Sequence, residues 1–404
     1  MKPPPWWVRR VLLAPAVIAL TAALLALAPL WLLAAMGLAS LVPRHFRLPR
    51  VLWMLTFCLL WESTALVALF VLWVASGFGW RLHTPAFQRA HYALAGVLLR
   101  TLFWQARQVL RLRIRVVGDV PHADARDTGT LDADPPDPNP PDSGPDASPL
   151  VPGRPLIVAS RHAGPGDSFI LVHLLINHFR RQPRIVLREA LQWDPVLDVL
   201  LHRLPNRFIV PTRWTVGDPG PRPALEEPGR RPAPAAPFRR PLPGESFRGS
   251  AAADPSRRTA AEEVGALARG LEGNGVVLIF PEGGKFTKER KLRRIERLLR
   301  SGWVGHARRA GALFNVLAPQ PGGMLAALDA APDADVVFIG HTGLEGMASL
   351  SDIWRELPMD KQILIHAWHV PHGDIPHGAE ARNEWLFTWF ERIDGWIGSN
   401  RPFQ

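Results

Sequence analysis

The sequence predicts an α/β protein: a mainly parallel sheet flanked by helices, preceded by an N-terminal transmembrane or re-entrant helical region. Three observations lead there. Short, wholly apolar runs such as residues 156–159 and 276–279 have the unbroken hydrophobicity of strands buried on both faces. Stretches of helical period separate such runs, and this β-then-α alternation implies parallel strands covered by helices. The first eighty residues hold two apolar runs, each longer than the ~20 residues needed to cross a bilayer.

Composition narrows the working environment. The chain has 404 residues, a formal net charge of +11 and 47% hydrophobic residues, which suits a protein at an anionic surface. Nucleic acid is not expected as a partner, because no zinc-knuckle or RNP-like motif is present. The one cysteine, Cys58, lies in an apolar segment and excludes an intrachain disulfide.

Taken in order, residues 1–82 form the membrane-embedded part. The first apolar run covers 11–42, punctuated by Pro15 and Pro29, and is too long for a signal peptide. The second covers 51–80 and is interrupted by Glu62, Ser63 and Thr64. Glu62 reads as a hydrated break, with a proton or ligand site as the functional alternative. Lys2, Arg9 and Arg10 precede the first run, and Arg81, Arg89, Arg100 and Arg107 follow the second. Arg44, Arg47 and Arg50 lie between them. The balance favours an integral membrane protein with the domain that follows on the cytoplasmic side. A re-entrant hairpin is the alternative.

Residues 83–121 carry an interfacial or core helix over 85–110, with Phe87, Tyr92, Val97, Leu102 and Phe103 at helical spacing, and a first strand over 111–117. Residues 122–153 form an acidic, Pro-rich insertion, and 217–255 a Pro/Arg-rich one. Both are too polar to fold alone and are expected to be disordered. The α/β domain is 154–216 with 256–401. Its strands are expected at 156–160, 184–188, 208–210, 276–280, 313–317, 335–341 and 362–368. Its helices are expected at 167–180, 191–203, 257–272, 288–300, 324–330 and 379–397.

Two polar islands sit just past strands, where ligands bind in open α/β sheets. The first is Ser160-Arg161-His162-Ala163-Gly164-Pro165-Gly166-Asp167. An imidazole and a carboxylate five positions apart can act as a base and its orienter, with Gly164 and Gly166 permitting a tight loop. The plainer reading makes Asp167 a helix N-cap. The second island is Phe280-Pro281-Glu282-Gly283-Gly284-Lys285. A turn rich in backbone N–H groups, followed by a cation, suits an anion.

The two islands in this order, followed by Val316-Leu317-Ala318-Pro319, resemble the glycerolipid acyltransferases of the 1-acylglycerol-3-phosphate acyltransferase type, over roughly residues 111–397 without the insertions. The resemblance implies a membrane-bound enzyme that moves an acyl group from acyl-CoA or acyl carrier protein to the hydroxyl of a lysophospholipid, most plausibly 1-acylglycerol 3-phosphate. No bound cofactor is expected, and the partners are a phospholipid membrane, the lysophospholipid acceptor and the thioester donor. His162 and Asp167 would be catalytic. Glu282, Gly283, Gly284 and Lys285 would hold the phosphate, and Pro319 would line the pocket. The family commonly has Thr and Arg after Glu-Gly, where this chain has Gly284 and Lys285. Its middle motif, usually a Phe-Ile-Asp-Arg-like run, reads Asn206-Arg207-Phe208-Ile209-Val210-Pro211-Thr212-Arg213 here. Arg213 is the favoured phosphate cation, with Arg207 the alternative.

Two other readings compete. His366, His369, His372 and His377 have a spacing that a zinc-dependent hydrolase could use, although strand alternation sends His366 and His369 to opposite faces. The basic run 285–300 would serve a non-catalytic protein that binds anionic lipid.

Overall fold

The computed structural model describes residues 3–39, 47–117, 153–164, 166–209, 259–343 and 361–401. Both predicted insertions, apart from Gly153, lie outside the described residues, and so does Arg213.

Seven strands make one mixed, mostly parallel sheet. They are β1 Arg113–Val117, β2 Leu156–Ser160, β3 Gln182–Arg188, β4 Arg207–Ile209, β5 Gly275–Ile279, β6 Asp335–Thr342 and β7 Gln362–Val370. Their order is β1-β7-β6-β2-β5-β3-β4, and every neighbouring pair is parallel except β6 with β7. β2, β5 and β6 are buried at every position, as the apolar runs of β2 and β5 require; β6 also buries Asp335, His341 and Thr342 at its ends.

Successive residues of a strand face opposite sides, so each central strand feeds two cores. Leu156 and Val158 pack with Leu99 and Phe103 of helix α4 (Pro85–Leu110) and with Ile170 and Leu171 of α5 (Asp167–His173). Ile157 and Ala159 pack with α7 (Ala260–Ala268), α10 (Pro321–Ala330) and α11 (Ala379–Asn400) through Leu267, Met324 and Phe390. The helix over 85–110 is therefore a core helix of the sheet as well as its link to the N-terminal region.

Helix starts follow their capping chemistry. Pro195 opens α6 (Pro195–Arg203), and the Asp194 carboxylate accepts the Leu197 N–H at 2.8 Å. Thr259 and Glu262 form a capping box on α7. Thr287 caps α8 (Lys288–Arg300), which occupies the predicted residues 288–300.

Three expectations change. Residues 313–317 form no strand. Asp394 of α11 accepts the N–H groups of Phe314 at 3.0 Å, Asn315 at 2.5 Å and Val316 at 3.1 Å, and Glu282 accepts that of Leu317 at 2.8 Å. Carboxylates thus take the donors that a neighbouring strand would have used. An unexpected helix, α9 (Val304–Ala312), precedes this segment. The helix expected over 167–180 is shorter as an α-helix, continuing beyond α5 as a wider π-helical turn, Leu174–His178.

At the N-terminus a π-helical turn, Val8–Leu13, leads into α1 (Ala14–Ala26), followed by α2 (Ala28–Ala39) and α3 (Arg47–Ala75). The first apolar run breaks at Leu27, just ahead of Pro29. Two helical stretches, Val8–Ala26 and Val51–Ala75, are long and apolar enough to cross a membrane, and most of their residues are not buried within the protein. Polar ties dock them on the sheet domain. The Arg9 and Asp198 side chains pair at 3.1 Å, both buried. The Trp61 indole donates to the Leu98 carbonyl at 2.8 Å, and the Arg203 guanidinium to the Leu69 carbonyl at 2.7 Å.

Candidate active site

β2 ends at Ser160, and the chain turns over the carboxyl end of the sheet before α5 begins. That turn places Asp167 beneath the His162 ring. The Asp167 Oδ2 accepts from His162 Nδ1 at 2.8 Å, from the Ala163 N–H at 2.8 Å and from the Gly164 N–H at 3.2 Å. Its Oδ1 accepts from the Ser168 N–H at 2.6 Å. The carboxylate is therefore an orienter held by three backbone donors, not a simple cap. Gly166 has φ −86° and open space where a Cβ would stand, so nothing at that position requires glycine.

Burial raises the proton affinity of Asp167, but the hydrogen bond and charge of His162, the charge of His341 and the Gly164 N–H outweigh it. Asp167 is held below its ordinary carboxylate range. His341 on β6 is a residue that spacing does not reveal. Its Nε2 is 3.2 Å from the Arg161 carbonyl and 3.8 Å from Asp167 Oδ2, so it lies behind the pair. Asp167 Oδ2 holds Nδ1 of His162, which leaves Nε2 to take a proton. The ring keeps 22% of its side-chain surface exposed and borders the cavity described below.

The two sequence islands meet. The Glu282 Oε1 accepts the His162 N–H at 2.7 Å, and the Phe280 ring stands 4.9 Å from the imidazole. The Glu282 Oε2 accepts the Leu317 N–H at 2.8 Å. Glu282 is 1% exposed. Both its oxygens are occupied by backbone donors and it does not border the cavity, so the expectation that it contacts a substrate gives way to a brace between two loops. Burial pushes its carboxyl up to about 7, against the opposing pull of Arg161 and the two N–H bonds. Gly283 has φ +67°, and its N–H donates to the Phe280 carbonyl at 2.9 Å, a turn that needs glycine.

A cavity of about 1060 Å³ opens beside His162. That is at the top of the roughly 300–1,000 Å³ range of small-molecule sites. Towards the N-terminal helices its wall is apolar, with Trp61, Leu98, Leu99, Phe169 and Val172. Towards α8 it is cationic, with Lys285, Arg188, Arg290, Arg294 and Arg297. Gly284 and Pro319 also form wall. A Cβ at Gly284 would run into the Arg290 guanidinium and lie 3.5 Å from Arg188 Nη2, so the missing side chain lets two guanidiniums approach this turn. Arg294 is partly structural: it donates to the carbonyls of Ala318 at 3.0 Å and Glu282 at 3.1 Å.

Spacing does not find the four arginines by name. Arg290, Arg294 and Arg297 do recur at helical intervals right after the Glu-Gly-Gly-Lys turn, which is the signal that one face of α8 looks inward. Arg207, the alternative phosphate cation, does not border the cavity. It is half-exposed, with Glu263 3.8 Å away. Two of the C-terminal histidines share one carboxylate, at the other end of the sheet from His162. His369 and His372 flank Asp335 at 3.1 and 3.3 Å, at the start of β6 and hence at the opposite end of the sheet. His366 packs on Trp368 and Trp396. Among the described residues no group of three or more His, Cys, Asp or Glu could hold a metal ion.

No family model and no curated protein matches this chain. Among solved structures it is similar to the crystal structure of the 1-acyl-sn-glycerophosphate (LPA) acyltransferase, PlsC, from Thermotoga maritima. The TM-score is 0.42 at 10% sequence identity, covering 86% of this chain and 98% of that one. So distant a likeness transfers no residue roles, which come from this chain's own geometry.

Proposed function

We propose that this protein is a membrane-bound O-acyltransferase that esterifies a lysophospholipid, with 1-acylglycerol 3-phosphate as the acceptor and phosphatidate as the product. The observation that carries the reading is that His162, held by Asp167, borders a cavity with both an apolar and a cationic wall. An acyl chain matches the first wall and a phosphate the second, so the reacting hydroxyl of a lysophospholipid would lie beside the imidazole.

The chemistry follows from the pair. His162 Nε2 takes the proton of the acceptor hydroxyl as its oxygen attacks the thioester carbonyl. Asp167 fixes the tautomer and offsets the charge of the imidazolium. The tetrahedral intermediate collapses with loss of the C–S bond, and the imidazolium returns its proton to the departing thiolate. The alcohol attacks directly, so no acyl-enzyme forms. The donor is an acyl thioester of coenzyme A or of a carrier protein. The bilayer-length helices support an integral membrane setting, and the basic residues flanking them support a cytoplasmic catalytic domain.

The test is acyl transfer from a labelled thioester by membranes carrying the protein, offered lysophosphatidate and, in parallel, zwitterionic and glycolipid acceptors. Wild type should label phosphatidate preferentially, and His162→Ala at equal expression should label nothing above background. Equal labelling by the variant removes the mechanism. Preference for a neutral acceptor removes the phosphate assignment.

A further inference from the structure

From residue 153 onward, five large apolar side chains among the described residues are exposed, and four of them share one region. They are Leu292 (67% exposed), Leu299 (50%), Val304 (56%) and Phe314 (75%). Leu292 and Leu299 are seven positions apart, so they lie along the same side of α8. Lys291 binds this side to the next segment. Its Nζ donates to the Gly311 carbonyl at 2.8 Å and stands 5.3 Å from the Phe314 ring centre. α8 also packs on α9, so the four side chains lie on adjoining segments.

Cations accompany these side chains. α8 has seven basic residues and two acidic ones; Lys288, Arg293 and Arg300 are exposed on it and Arg308 on α9, while the exposed Glu296 pairs with Arg300, leaving a basic excess. Apolar side chains reaching into solvent amid a basic excess match the pattern of a segment lying in a bilayer interface, its apolar side at the acyl boundary and its cations among phosphates. The other side of α8 walls the cavity with Arg290, Arg294 and Leu298, and Trp61 of the bilayer-length α3 walls the same cavity.

We propose that the face formed by Leu292, Leu299, Val304 and Phe314 seats on an anionic phospholipid bilayer. Charge selects this occupant over a neutral surface. The shared cavity wall puts a bilayer that holds α3 within reach of α8. The proposal does not depend on the acyl-transfer reading, since it concerns contact and not turnover.

The test uses full-length protein carrying Cys58→Ser and one environment-sensitive fluorophore at Leu292→Cys, reconstituted into phosphatidylcholine vesicles with or without phosphatidylglycerol. Parallel preparations carry the label at Phe314→Cys, or at Glu272→Cys before β5, at the far end of the sheet. Vesicles with about 30% anionic lipid should give the Leu292 and Phe314 labels a blue shift, about a twofold rise in emission and quenching by a lipid-borne nitroxide. About 1 M salt, where the Debye length is near 3 Å, should reverse much of the change. The Glu272 label should not respond. The proposal is overturned if the Leu292 and Phe314 labels behave like the Glu272 label in anionic vesicles. It is equally overturned if they are shielded alike in detergent and in both vesicle types without nitroxide quenching, which would mean that protein covers the face.

Discussion

Replacing Asp167 by Asn removes one charge and one acceptor at the centre of the site. Oδ2 receives three donors, His162 Nδ1 at 2.8 Å and the N–H groups of Ala163 and Gly164 at 2.8 and 3.2 Å, while Oδ1 receives that of Ser168 at 2.6 Å. An amide has one oxygen. If it faces the three donors, its NH2 meets the Ser168 N–H; reversed, it meets the other three. At least one buried donor is stranded, at about 1–3 kcal/mol. The imidazolium formed in the reaction also loses its counter-charge. Unit charges ~4 Å apart interact by about 4 kcal/mol at an effective dielectric of about 20, close to three powers of ten in rate. Asp167→Asn should therefore lower kcat by about 10²–10⁴ with little change in KM, measured in proteoliposomes at saturating donor. The folded-state pKa of Asp167 lies below its ordinary 3.8, so its stabilisation is present above that value and is lost as pH falls through the lower one. The variant should lack this acid-sensitive step in Tm. A kcat within tenfold of wild type, with normal folding, would refute the reasoning.

Three further outcomes follow from the same geometry. Glu282→Gln puts an amide NH2 against either the His162 or the Leu317 N–H, so kcat should fall by about tenfold or more while KM holds. The Glu282 carboxyl is raised from 4.5 to about 7, so its contribution to stability is full below 4.5 and is lost as pH rises through about 7; in Glu282→Gln the Tm should lack that decline. Gly284→Ala displaces the Arg290 guanidinium and should raise KM for an anionic acceptor by about tenfold, with kcat within about threefold, in a steady-state titration of lysophosphatidate. Asp198→Ala leaves the buried Arg9 with the neutral Gln192 side chain but no counter-charge and should destabilise the docking of the N-terminal helices by about 3–5 kcal/mol, read as faster proteolysis between α1 and the sheet domain and a lower Tm.

The sheet was legible because β2 and β5 are buried on both faces and so carry no polar residue until they end. β2 and β5 read directly from Leu156–Ala159 and Val276–Ile279. Apolar sequence misled at residues 313–317, because a buried segment whose N–H groups are taken by Asp394 and Glu282 has the same composition as a strand. The antiparallel β6–β7 pairing had no local signal, since direction is set by the connection and not by side-chain period. At the site, His162 and Asp167 stood out because five positions of sequence become 2.8 Å through one turn. The partnership of Glu282 with His162, 120 residues away, is a product of strand order, as is the approach of His341 to Asp167. The inward arginines of α8 were visible as a charge run, but only the packing of Ile295 and Leu298 on the core fixes which of them turn to the cavity.

The most direct test is a rapid-quench experiment with acyl-labelled thioester, lysophosphatidate and the full-length protein in proteoliposomes, followed at the protein and lipid fractions together. Direct attack by a lipid hydroxyl activated at His162 predicts label passing from thioester to phosphatidate with none ever on protein, and no transfer by His162→Ala. Label accumulating on the polypeptide before the lipid, or transfer by the variant at the wild-type rate, would contradict it.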